Sequence, residues 1–133
     1  MITLEHDAFV ESKITKLIFA PFVSVFSKDS FNGCDSVENI VFKARGVDNE
    51  LGTFPDSLFS GKKALCKVEF ENTSITMIGN YMFSGCEKLK TVIIPNSLKI
   101  IGEGAFSYSG LTEIDIPKDC QLVTINSKAF YDC

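Results

Sequence analysis

Apolar positions return along this chain in a fixed three-part order. The most regular part is an apolar residue followed by phenylalanine: Ala8-Phe9, Leu58-Phe59, Met82-Phe83, Ala105-Phe106 and Ala129-Phe130, with Ser30-Phe31 as the polar variant. These phenylalanines lie 22, 28, 24, 23 and 24 residues apart. A second cluster follows each of the first five pairs: ITKLIF (14–19), VENIVF (37–42), LCKVEF (65–70), LKTVII (89–94) and LTEIDI (111–116), each apolar at its first, fourth and sixth places. A single apolar residue precedes each pair: Leu4, Phe26, Phe54, Ile78, Ile101 or Ile125.

The fourth and sixth places of the second cluster point the same way on a strand, because side chains alternate faces. In LTEIDI this buries Ile114 and Ile116. Leu111 enters the core from the preceding turn, and Thr112, Glu113 and Asp115 stay outside. Five such strands are predicted to stack as one parallel sheet, one strand per coil. Pro95 and Pro117 follow two of them and end the ladder locally, and Pro21 comes one place later in the first. The anchor segments DSLFSG (56–61), NYMFSG (80–85) and EGAFSY (103–108) begin with residues able to cap free amides. Gly61 and Gly85 suit the exit from a turn. These segments are too short to stand alone and are predicted as short helical or 3-10 turns opposite the sheet. No coil buries its own apolar face, but stacked neighbours do. The predicted fold is therefore an α/β solenoid, a right-handed coil with about five short parallel strands. It is read as a single domain over 1–133, about five and a half repeats and roughly 25 Å long at the usual strand spacing.

Two places break the rhythm. The charged stretch KARGVDNELGT (43–53) lengthens one step and is read as an edge loop, either a tolerated insertion or a binding loop. At the other end Cys133 stands three residues after Phe130, as Cys34 and Cys86 stand after Phe31 and Phe83. The chain thus halts before a sixth strand, without a polar cap. The expectation is a piece of a longer array, or open ends that meet another molecule and allow self-association.

The strand pattern also defines a surface. The outward row between the two buried strand positions is Ile18, Val41, Glu69, Ile93, Asp115. Beside it runs Lys16, Asn39, Lys67, Thr91, Glu113. Together they form a mixed ladder with an apolar stripe. It reads either as a protein-binding face or as ordinary β-propensity on a solvated sheet.

Composition narrows the chemistry. Of 133 residues 45% are hydrophobic and 23% charged, enough for a core, with twelve Phe and no Trp. A net charge of -4, without a basic run, excludes a nucleic-acid footprint. The five cysteines, Cys34, Cys66, Cys86, Cys120 and Cys133, form no C-x-x-C pair, and His6 is the one histidine. No metal or other cofactor is expected. Cys34, Cys86 and Cys133 share a repeat position and read as small packing residues, while Cys66 and Cys120 fall outside it. A cysteine nucleophile would want a base nearby. His6 reads as a surface residue. Glu69 and Asp115 lie about two strand spacings apart, roughly 10 Å, but nothing around them forms a sugar cleft. No enzyme is expected. ITKLIFAPFVSVF (14–26) is too short and too interrupted for a membrane span. Acidic Glu5 and Asp7 do not suit a secretory leader. NTS (72–74) is a glycosylation sequon that matters only in an exported chain.

The phrases IGNYMFSGCEKLKTVIIP (78–95) and IGEGAFSYSGLTEIDIP (101–117) resemble the BspA-like, or treponemal-type, leucine-rich repeats, whose pattern runs I-x-x-x-A-F-x-x-C-x-x-L-x-x-I-x-I-P. The resemblance covers essentially the whole chain. It is closest over 78–133 and loosest over 43–63, where Lys62 replaces the cysteine. It implies a noncatalytic protein-interaction module, surface-associated or adhesin-like, whose partner is a host or extracellular-matrix protein. Cell-surface location is implied by the same resemblance. The alternative is an intracellular, cytoplasmic scaffold or assembly module, suggested by the unpaired cysteines and the absent leader.

Overall fold

The computed structural model describes residues 2–19, 23–43, 54–71 and 75–133. Most of the edge loop expected at 43–53 and the sequon at 72–74 lie outside them. Among the described residues nine short strands form: β1 (Ile2–Leu4), β2 (Lys16–Phe19), β3 (Val23–Phe26), β4 (Asn39–Phe42), β5 (Lys67–Phe70), β6 (Met77–Ile78), β7 (Thr91–Ile93), β8 (Ile100–Ile101) and β9 (Thr124–Ile125). All pairing is parallel, in orders β2-β4-β5-β7, β1-β3 and β6-β8-β9. The fold is a β-solenoid in which each coil adds to the walls of the stack.

The main sheet keeps the register of the repeat. Leu17, Ile40, Val68 and Val92 are successive partners, as are Phe19, Phe42 and Phe70. These inward side chains are buried. The single apolar site ahead of an anchor lies on a very short strand at Leu4, Phe26, Ile78, Ile101 and Ile125, though not at Phe54, and these strands line a second wall. Leu4 pairs with Phe26, and Ile101 with both Ile78 and Ile125. Two-residue strands carry too little alternation to announce themselves, so this wall reads in the sequence only as one recurring apolar position.

The expected α/β character is not found: no helix occurs among the described residues. The turn segments carry left-handed residues two places before and two after the anchor phenylalanine. They are Ser57 and Gly61 around Phe59, Tyr81 and Gly85 around Phe83, Gly104 and Tyr108 around Phe106, and Lys128 and Asp132 around Phe130. A left-handed residue every fourth place stops a right-handed helix from propagating. The backbone amides are also spent differently. Tyr81, Phe83 and Gly85 donate to Glu103, Ala105 and Ser107 of the next coil at 2.8 Å each, while Met82, Ser84 and Cys86 donate three residues back. Half of the donors that a helix would need thus build a ladder between coils. The same alternation holds for Gly104, Phe106 and Tyr108, which donate to Ser127, Ala129 and Tyr131.

Phenylalanine rings fill the space between the walls. The anchors Phe59, Phe83, Phe106 and Phe130 stack nearly parallel at centroid distances of 5.8, 5.6 and 5.5 Å. Phe9 and Phe31 stack at 5.2 Å. Phe31 and Phe59, across the longest step of the repeat, sit 4.9 Å apart but tilt by 34°. A second column, Phe19, Phe42 and Phe70, runs along the main sheet at 5.1 and 4.9 Å.

The position three residues after each anchor adds a polar spine. The Cys86 thiol donates to the Phe59 carbonyl at 3.3 Å, and the Cys133 thiol to that of Phe106 at 3.1 Å. The Lys62 ammonium donates to the Phe31 carbonyl at 2.6 Å and also lies 3.7 Å from Asp35. Lysine in place of the repeat's cysteine is therefore buried with its charge satisfied. Cys34 and Cys86 are fully buried, as expected of packing residues, whereas Cys133 on the last coil is exposed.

The fifth strand is the second departure. Residues 111–116 form no strand, and the main sheet ends at β7. Leu111 is buried, Ile114 is half-buried, and Ile116 is exposed rather than inward. The step from Phe106 to Leu111 is five residues, as is the step from Phe9 to Ile14 that leads into β2, so this spacing alone does not abolish a strand. Gly110 passes so close to the Glu87 carbonyl that a Cβ would collide with it. The Lys90 ammonium donates to the Gly110 carbonyl at 2.8 Å. The segment makes no strand pairing with β7, although Gly110 and Gln121 on its two sides donate to Cys86 and Asn96 of the preceding coil.

Candidate protein-binding face

The outer face of the main sheet is set by the pleat of β2, β4, β5 and β7. Lys16, Asn39, Lys67 and Thr91 are successive register partners, and so are Ile18, Val41, Glu69 and Ile93. Glu113 and Asp115 lie on the detached segment and take no part in this register.

Burial divides the rows. Ile18 and Ile93 are 51% and 46% exposed, but Val41 between them is only 4% exposed. Glu69 is partly covered and accepts an ion pair from Lys67 at 2.6 Å. Lys43 and Glu71, just beyond the ends of β4 and β5, pair at 3.5 Å. The expected apolar stripe is thus two separate aliphatic side chains at opposite edges of a charged middle. Exposed pairs of this kind contribute little to stability.

Beyond Ile93 the face opens into a cleft of about 480 Å³, lined by Lys90, Thr91, Val92, Glu113, Ile114 and Asp115. Sequence reading missed this cleft.

The groups considered for chemistry are dispersed. His6 is exposed and holds Asp7 at 2.5 Å. Cys86 is pushed up to about 12, first by burial, against a smaller lowering by Lys62. Burial also raises Cys34, opposed by Lys62. Both therefore stay as neutral thiols at ordinary pH, unsuited to nucleophilic attack. Glu69 is occupied by Lys67, and no sugar-cleaving pair forms with Asp115. Among the described residues no group of three or more His, Cys, Asp or Glu is placed to hold a metal ion. No helix there is long and apolar enough to cross a membrane.

Comparison with known proteins agrees with this architecture. No curated protein matches the chain. A leucine-rich repeat protein from Bacteroides ovatus is similar over 86% of this chain and 30% of its own, with 29% identity and a TM-score of 0.64. A leucine rich cell surface protein from Faecalibacterium prausnitzii shares the fold, covering 86% of this chain and 39% of its own at 22% identity, with a TM-score of 0.52. The chain thus spans less than half the length of either solved structure. The model of the BspA type leucine rich repeat region matches residues 2–133 in six copies. Six anchors, stacked phenylalanines and in-register parallel strands are that repeat realised in this molecule, and the chain belongs to the BspA type leucine rich repeat family.

Proposed function

We propose that this chain is a noncatalytic protein-binding domain, surface-associated and adhesin-like, that docks a partner on the outer face of its main sheet. The fold is of a kind used for protein binding, and its extended sheet offers backbone-rigid rows of side chains. The observation that carries the reading is the exposed pair Ile18 and Ile93, held in one register row with Glu69 between them. Such a row offers an apolar contact at each edge and a polar contact at the centre, the mixed character of recognition surfaces. A surface location is supported by the cell surface protein with the same fold. Extracellular-matrix and host surface proteins are the partner class to test.

The experiment is a binding titration of the purified chain against such proteins. Saturable binding lost in both Ile18→Glu and Ile93→Glu supports the face. Binding indifferent to both changes removes it.

A second reading, an intracellular scaffold, is favoured by the five free cysteines. Localising the native protein, and asking whether Asn72 carries glycan, separates the two. Val123, Ile125 and Tyr131 are also exposed, apolar side chains suited to self-association. A molar mass that rises with concentration, and falls to monomer in Ile125→Lys, supports that contact.

A further inference from the structure

We propose that the cleft between β7 and residues 113–115 is a strand-addition site. Its occupant is an extended peptide segment of a partner protein in which one apolar residue is flanked by basic residues. This deepens the protein-binding reading above by naming a partner chemistry for the C-terminal edge of the same face.

Three observations lead there. The first is an unused sheet edge. β7 pairs with β5 on one side only. Lys90 and Thr91 donate backwards to Cys66, as Lys67 does to Glu38 and Glu71 to Phe42. In a parallel ladder successive residues turn to opposite neighbours, so the amide and carbonyl of Val92 face the cleft. The second is its size and walls. About 480 Å³ is open between Val92 and Ile114, within the range of ligand-sized sites.

The third observation is charge. Glu113 and Asp115 are exposed, two residues apart, and no ion pair of the described residues engages either. The cation at the cleft, Lys90, is held by the Gly110 carbonyl. A strand seated against this wall alternates its side chains. The residue pointing inward lies between Val92 and Ile114 and must be apolar. Its two neighbours point outward beside Glu113 and Asp115, where basic side chains complete cross-strand pairs. Backbone bonds supply affinity and alternate side chains supply choice, as in other strand additions.

The probe is an acetylated, amidated hexapeptide alternating lysine and valine, with its glutamate-valine counterpart and an N-methylated lysine-valine version as controls. Binding is read by fluorescence anisotropy on the intact chain, and the Val92 amide by hydrogen exchange. The expected result is saturable binding of the basic peptide alone, with exchange at Val92 slowed. The double variant Glu113→Lys, Asp115→Lys is expected to weaken binding about tenfold or more. Both residues are exposed, so circular dichroism of that variant should match the parent. Ile18→Glu, at the opposite edge of the sheet, should leave peptide affinity unchanged.

No saturable binding overturns the proposal. So does binding that leaves Val92 exchange unaltered, that survives N-methylation, or that ignores the charge reversal. Partner binding lost in Ile18→Glu while the peptide fails to bind refutes the cleft alone. Peptide binding at Val92 with partner binding indifferent to Ile18→Glu refutes the face alone.

Discussion

Phe83→Ala tests the stacked core directly. Phe83 is fully buried and lies between Phe59 at 5.8 Å and Phe106 at 5.6 Å, with its ring within 10° of parallel to both. Truncating a core phenylalanine costs about 3–5 kcal/mol. Each aromatic pair contributes about 0.5–1.5 kcal/mol beyond area burial, and here two are lost. The rigid ladders on either side limit collapse into the gap. The expected cost is therefore near the top of that range, about 5 kcal/mol. Phe130 supplies the internal control. It is only partly buried and has one stacking partner among the other anchors, Phe106 at 5.5 Å. About half the transfer free energy and one ring pair are at stake, so Phe130→Ala should cost about 2 kcal/mol. The assay is urea unfolding followed by far-ultraviolet circular dichroism, with the slope checked for constancy between variants. Natural domains are stable by only about 5–15 kcal/mol. If Phe83→Ala does not fold, Phe83→Leu against Phe130→Leu gives a smaller difference of the same sign. Costs equal within about 0.5 kcal/mol, the usual scatter of surface substitutions, would refute the continuous ring stack.

Three further outcomes follow from single residues. Lys62→Met removes the donor to the Phe31 carbonyl and should cost about 1–3 kcal/mol; Lys62→Cys restores the spine of Cys86 and Cys133 and should cost clearly less, both read by urea unfolding. Cys86 is raised from 9.0 to about 12 in the folded chain. Its unfolded thiol ionises first, so its contribution is complete below pH 9 and lost as pH rises toward 12, at up to about 1.4 kcal/mol per unit. Cys86→Ala should flatten that part of the stability curve, and an unchanged slope would count against the burial argument. Gly102 has room for no side chain, since a Cβ there would sit 2.8 Å from the backbone nitrogen of Asn80 and the carbonyl carbon of Gly79. Gly102→Ala should therefore cost about 1–3 kcal/mol and accelerate amide exchange at Met82 and Ala105.

The repeat was legible because burial is recorded in side-chain identity. Alternation at Leu17 and Phe19, or Val68 and Phe70, states which face is inward, and a parallel stack repeats that statement in every coil. The anchor column was legible for the same reason. Pairings at the candidate face, Ile18 with Val41 and Glu69 with Ile93, follow from this register. Whether those side chains meet water does not. Val41 occupies an outward place yet is buried, because exposure depends on everything else folded over that place.

By itself, then, the amino-acid order determined the period, the inward residues and the in-register stacking of four main-sheet strands. Tertiary structure decided the rest. The turns became an inter-coil ladder instead of helices because their amides found acceptors on the next coil, a choice that no single coil encodes. The second wall exists only once neighbouring coils bring pairs such as Ile78 and Ile101 together. The main sheet stops at β7 although the local pattern of the next segment, 111–116, is intact. Side chains carry their own preference for burial, whereas a backbone donor has no preferred partner until another piece of chain arrives beside it.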